Sequence, residues 1–396
     1  MQWKAFAVAL LAQRTAQQMM RFSCSQLTIE RLDPLVNPGV VMSPHVHQVV
    51  GGNSFKASMS PSSHDLVKES TCTSCTFSED FSNYWTAVMY FRARNGTYKR
   101  VPQFANVGLR AVGGITVYYI PPYDGKTNVT AFKEGFRMLV GDAALQTSEG
   151  MQRQLCHRCY TTPINAGVAG ISGGAPCTGS DTQSFPARAC PGGIRTTITF
   201  PTCWDGVNID SPDHTSHVAY PASGTFESVG ECPSTHPVRL PQLMYEVMWD
   251  STFGPNIRGL SRIFLPLLRP VNANNYRLHP STMQIFGLKM ALNLLCGAQE
   301  TGKPSSQSLT HEETYASDVA DPKSDTSRKG FSQHGDYVFG WKGDSLQRAL
   351  NARCNNAVCG ELKVQTSEEA MRCANSQTAV EDVDGWFDSM PGMEGM

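Results

Sequence analysis

The sequence predicts a mainly β protein: a sandwich or jelly-roll-like, disulfide-stapled domain with long loops and a small C-terminal helical part. Three observations carry that prediction. Short runs rich in β-branched and aromatic residues recur along the chain, such as WTAVMYFRAR from Trp85 and GITVYYI from Gly114. Glycine (34) and proline (24) punctuate them, as loops and turns require. Thirteen cysteines in 396 residues supply the staples.

Taken in order, the chain opens with Lys4, the apolar run Ala5–Ala12 and a small residue at Ala16. This is the pattern of a secretory signal over residues 1–16, although Arg14 is an awkward neighbour for a cleavage site. No run reaches the roughly 18 apolar residues of a membrane span. Residues 21–44 carry Pro34, Pro38 and Pro44 and read as extended chain. In His45-Val-His47 a strand would project both imidazoles from one face, because side chains alternate with period two. Gly51-Gly52-Asn53 then turns the chain.

Trp85–Arg94 reads as one strand, Asn95-Gly96 as a type I′ hairpin turn, and Thr97–Val101 as its return. Further strands are expected over Gly114–Ile120, Phe136–Val140, Thr196–Phe200 and Tyr245–Trp249. Residues 163–195 lack periodicity and read as a long loop pinned by Cys177 and Cys190. Ser345 is placed to cap a helix carrying Leu346, Ala349 and Leu350. Thr366 with Glu369 forms a capping box for a second helix.

The formal net charge is −1 and charged residues make up 17%. No basic surplus points to nucleic acid or an anionic membrane surface. Cys72/Cys75 and Cys156/Cys159 have the C-x-x-C spacing of zinc or redox sites. Behind a secretory signal, structural disulfides are the expected state. Without Cys296 the other twelve cysteines can all pair. Asn95-Gly-Thr and Asn128-Val-Thr are candidate glycosylation acceptors.

The chemistry concentrates in Cys203–Pro221, CWDGVNIDSPDHTSHVAYP, where Asp213, His214 and His217 fall within one turn's length. With histidine at only 10 positions, the grouping of His45 with His47 and of His334 with Asp336 also stands out. His214 or His217 oriented by Asp213 would make a general base, since a bonded carboxylate fixes the imidazole tautomer and raises its basicity. These three are the candidate catalytic residues. His45, His47, Asn53, Trp204, Asp205, His334 and Asp336 are candidate substrate contacts. Alternatively His45, His47, His214 and His217 share one cleft and hold a divalent metal such as zinc, copper or manganese. Glu246, Asp250 and Asp210 are further acidic candidates, and Trp85, Trp204, Trp249 and Trp341 could present faces to a sugar. No G-x-S-x-G, HExxH, Walker or dinucleotide motif is present.

The stretches RFSCSQLTIERLDPLVNPG from Arg21, HVHQVVGGNSF from His45, the DHTSHVAYP segment and HGDYVFGWKGDSLQRAL from His334 resemble one family. It is the fungal secreted family catalogued as domain of unknown function nineteen-ninety-six, some members of which carry cell-wall WSC domains. The resemblance implies a single main domain over 17–250 and 332–373, secreted, with no integral membrane segment and no established reaction. Its WSC association suggests binding or processing of an extracellular polysaccharide. A non-catalytic wall protein and an extracellular metal-binding protein are the alternatives, and oligomeric state is left open. Residues 251–331 depart from the family pattern and read as a disordered insertion or a gene-model artefact. Residues 374–396 read as an acidic tail.

Overall fold

The computed structural model describes residues 19–92, 97–103, 113–122, 127–145, 147–150, 153–161, 177–186, 190–223, 230–251, 314–316, 330–378, 380–389 and 391. The chain divides into two units, Met1–Thr252 with His311–Met396, and Phe253–Thr310. Every described residue belongs to the first. The expected export signal, the Asn95-Gly96 turn, residues 162–176 of the long loop, Cys296 and most of 251–331 lie outside the described residues.

The fold is mainly β, and two five-stranded antiparallel sheets form its body. One has the order β1 (Met20–Cys24), β7 (Ile115–Ile120), β14 (Gln242–Trp249), β10 (Ile194–Thr199), β9 (Leu155–Cys159). The other runs β2 (Thr28–Glu30), β3 (His47–Gly51), β4 (Asn83–Ala87), β16 (His334–Val338), β8 (Arg137–Gly141). Alternation puts Tyr84 and Tyr337 on one face of the second sheet, against Tyr119 and Tyr245 of the first. The Tyr84 and Tyr245 rings meet at 5.7 Å, and Phe200 packs on Tyr245 at 4.7 Å. This aromatic layer closes the sandwich, each such pair contributing about 0.5–1.5 kcal/mol beyond its area. A Cβ at Gly335 would sit 3.0 Å from Ile198 of the facing sheet, so glycine there permits the close approach beside His334.

The opposite face of the second sheet carries Val49, Trp85 and Val338. The chain on either side of β3, residues 31–46 and 52–66, folds over that face, burying Leu32, Leu35, Phe55 and Met59 in one cluster with Trp85. The second of these segments ends in the single-turn helix α1 (Leu66–Glu69), whose first amides bond to the Asp65 carboxylate.

WTAVMYFRAR is not one strand. It breaks at Val88, whose N–H donates to Val46 O, so β4 stays in the sandwich while β5 (Met89–Arg92) enters another sheet. There β5 pairs antiparallel with β6 (Tyr98–Arg100), but Tyr90 lies opposite Arg100, where a two-residue Asn95-Gly96 turn would put Val101, so the register is one residue off the expected one. β15 (Thr314–Ala316) and β17 (Trp386–Phe387) flank that pair. A three-stranded sheet joins β11 (Cys203–Trp204), β12 (Val218–Ala219) and β13 (Val238–Arg239). The C-terminal helices are α2 (Ser345–Asn351) and α3 (Ser367–Ala370). The Thr366/Glu369 capping box on α3 is formed, whereas the N-cap of α2 is Asp344, with Ser345 already inside the helix.

All twelve described cysteines are paired: 24–75, 72–373, 156–177, 159–190, 203–232 and 354–359. Each C-x-x-C sends its two sulfurs to different partners, so neither is a zinc knuckle or a redox pair. Cys177 and Cys190 do pin the long loop, both to strand β9. No helix among the described residues is long and apolar enough to cross a membrane.

Candidate functional site

Strands β3 and β16 flank β4, and this places the chemistry. His47 pairs with Ala87, and Gly335 pairs with Thr86. His47 and His334 therefore rise from one face on either side of Ala87, whose methyl group leaves room for two rings. Each ring is held by its Nδ1–H, His47 donating to Leu32 O at 2.9 Å and His334 to Ser332 O at 2.8 Å. A carbonyl oxygen only accepts, so both protons sit on Nδ1 and both neutral Nε2 atoms are bare. Those two lone pairs face each other at 2.9 Å.

Carboxylates complete the cluster. A ligand oxygen of Asp33 lies within 4.8 Å of ring nitrogens of His47 and His334. The carboxylate is aimed by accepting the amides of Leu35 (3.1 Å) and Val36 (3.0 Å) through Oδ1. Asp336, two residues along β16 from His334, shares its face and places Oδ2 3.7 Å from His334 Nε2. Neither Asp336 oxygen has a hydrogen-bond partner, and the residue is fully buried. His45 is the most solvent-facing member at 8% exposed, against 0% for His47 and His334.

Burial disfavours charge on the three histidines and on Asp336. It draws His45 down to about 3, helped by His334 and His47, and lowers His47 and His334 as well. It raises Asp336 well above the carboxylate range, with Asp33 adding to the effect. The close approach of His334 to Asp336 is thus not an ion pair, because a buried neutral imidazole has no charge to offer. A proton shared between the two Nε2 atoms is opposed by the same burial. Two bare Nε2 atoms and the Asp33 carboxylate converge here, and the neutral Asp336 carboxyl, at 3.7 Å from His334 Nε2, is too far away to donate to it.

The second histidine group is built differently. His214 takes φ +54° on the turn and its Nδ1–H donates to Asp210 Oδ1 at 2.6 Å, while Nε2–H donates to Leu35 O at 3.2 Å. Asp210 holds its pKa above the usual value. His217 donates Nε2–H to Arg137 O at 2.8 Å and meets Ser211 Oγ through Nδ1 at 2.9 Å. Burial lowers its pKa.

Asp213 does not orient either ring. Its Oδ1 accepts from Ser211 Oγ (2.7 Å), Thr215 N (3.1 Å) and Ser216 N (2.9 Å), closing the turn, and these bonds hold its pKa low. The carboxylate paired with a histidine is Asp210. All four ring nitrogens of His214 and His217 lie at hydrogen-bond distance from other protein oxygens, and the set His45, His47, His214 and His217 is not the set whose donor atoms converge. His214 touches the first cluster only through the backbone of Leu35, two residues from Asp33.

The remaining expected contacts have structural partners. Asn53 Oδ1 accepts from Thr71 N and Cys72 N, and Asp205 accepts from Val207 N and Asn208 N. Trp204 is buried, donates to Asn208 O and lies under Lys133 Nζ at 4.6 Å. Trp85, Trp249 and Trp341 are buried too, so none of the four offers a face to a sugar. Glu246 is buried and accepts from Tyr118 and Arg195. Cys24, Cys75 and Asp80 also converge, but the two sulfurs are joined as a disulfide and supply no thiolate.

Asp33 is the residue that sequence reasoning missed. Its Asp-Pro turn is visible in the sequence, but only the β2–β3 pairing brings it to His47. A family model described as Domain of unknown function (DUF1996) matches residues 33–261, more than half of the chain. The match begins at Asp33 and ends before His334. No curated protein and no solved structure matches the chain.

Proposed function

The chain belongs to the DUF1996 family, a membership that carries no reaction, and we propose that it is an extracellular protein binding a divalent metal through Asp33, His47 and His334. The observation that carries this reading is the pair of bare Nε2 lone pairs facing at 2.9 Å beside a buried carboxylate. A cation removes the repulsion, and among the described residues no side-chain donor stands within hydrogen-bond reach to do so. The Nδ1–H bonds to Leu32 O and Ser332 O are the outer-shell contacts that orient ligating imidazoles. Two imidazoles and a carboxylate suit zinc, iron or manganese and lack the thiolate of soft-metal sites. When bound, the ion would supply positive charge and Lewis acidity at this point. The chain's own residues hold the rings, and they join the segment following β2 to β3 and β16.

Extracellular placement is supported by six disulfides. An exposed Asn128 agrees with a glycosylated, exported chain. Residues 251–331 remain proposed as an insertion into the main domain. A polysaccharide partner, which the family resemblance suggests, stands behind the metal reading because the four tryptophans named above are buried. The test is metal analysis of secreted protein carrying no affinity tag, after incubation with zinc, manganese and iron salts and dialysis. One tightly held ion per chain is expected, lost in His47→Ala and His334→Ala. Wild-type protein that emerges free of all three would sink the proposal.

A further inference from the structure

We infer that His45 is a third imidazole ligand of the metal centre, so that the loaded site has three histidines and Asp33. This rests on the metal reading above and adds a ligand that the convergent set does not include. The three rings already form a triangle, with centroids 5.1 Å apart for His47 and His334, 5.6 Å for His45 and His334, and 6.0 Å for His45 and His47. Three imidazoles on one tetrahedral ion, at metal–nitrogen distances of about 2.0–2.1 Å, hold their centroids roughly 5 Å apart. The His47–His334 separation already has that value. The two separations to His45, 5.6 and 6.0 Å, are the ones that shorten when the ion binds.

His45 is also the member free to make that rotation. His47 and His334 are tethered through Nδ1, whereas among the described residues no hydrogen bond holds either ring nitrogen of His45. Contrary to the strand expected over His45-Val-His47, β3 begins at His47, and His45 stands in the bend just before it with the buried Val46 between them. Because His45 lies at the solvent edge of the cluster, it stands where an ion enters. Three neutral nitrogens and one carboxylate oxygen favour a borderline ion such as Zn²⁺ over the hard, oxygen-seeking Mg²⁺ and Ca²⁺.

The experiment is imidazole counting by zinc-edge X-ray absorption, with Zn²⁺ affinity from chelator competition, on the full chain and on His45→Phe and His45→Asn. Far-UV circular dichroism identifies folded variants. Three imidazoles are expected in wild-type protein and two in each variant, with affinity lowered at least about tenfold. Two imidazoles in all three proteins with unchanged affinity would overturn the His45 assignment while leaving the metal site standing. Wild-type protein that binds no Zn²⁺ but does bind manganese or iron would overturn the zinc-type donor set alone. Binding of none of these ions would remove the metal reading itself.

Discussion

Tyr119 sits at the junction of the two sheets, and its hydroxyl has three partners: Tyr84 OH at 2.9 Å, Tyr337 OH at 3.0 Å and Trp341 Nε1 at 3.0 Å. One proton arrangement satisfies every member. Tyr84 donates to Asp80 Oδ2 at 2.6 Å, Tyr119 donates to Tyr84, and Tyr337 and Trp341 both donate to Tyr119. Tyr119→Phe keeps the ring and removes the hub. It strands two buried donors, Tyr337 O–H and Trp341 Nε1–H, each at a cost of about 1–3 kcal/mol, so the loss is about 2–6 kcal/mol. Tyr245→Phe is the matched control: it also deletes a buried hydroxyl, but one with a single bond, to Asp336 O at 2.6 Å. That loss is about 1 kcal/mol. Urea unfolding at neutral pH, with disulfides intact, reads both as midpoint shifts at constant slope. If Tyr245→Phe destabilises as much as Tyr119→Phe, the hydroxyl network does not act as a unit and the accounting is wrong.

Asp80 is pushed up to about 7 by burial, which outweighs its bonds from Tyr84 and Ser82. A carboxyl raised in the folded state contributes stability that is complete below its unfolded value of about 4 and is lost as pH rises through about 7. The span is on the order of 4 kcal/mol. Asp80→Asn should therefore flatten the decline in stability between about pH 4 and pH 7, and profiles parallel to wild type would refute the assignment. His214 is raised above its ordinary value of 6.5, first by its hydrogen bond to Asp210, with Leu35 O adding and Arg137 opposing. Its contribution is therefore complete below about 6.5 and is lost as pH rises through the folded value, when one of its two N–H donors departs. Hydrogen exchange of amides 35–37 and 39–42, corrected for intrinsic rate, should quicken across that range in wild type and be fast throughout in His214→Asn. Protection independent of pH would show that this imidazole does not tether the loop.

Much of the local structure was legible in the sequence because its causes are local. The β-branched and aromatic runs at Ile115–Ile120, Ile194–Thr199 and Gln242–Trp249 became strands. Thr366 and Glu369 formed their capping box within one turn. An even set of cysteines outside Cys296 announced that the described ones would pair, although not with whom. The candidate site was legible only in its ingredients. His47 and His334 are 287 residues apart, and they meet because β16 inserts beside β4 and β4 beside β3, an order that no window of sequence contains. Asp33 joins them through the β2–β3 pairing. Asp210 rather than Asp213 takes His214 because the turn places one carboxylate on the ring and spends the other on backbone amides. Propensity and periodicity are properties of neighbouring residues. Convergence of lone pairs is a property of strand order and register, and only the tertiary structure decided it.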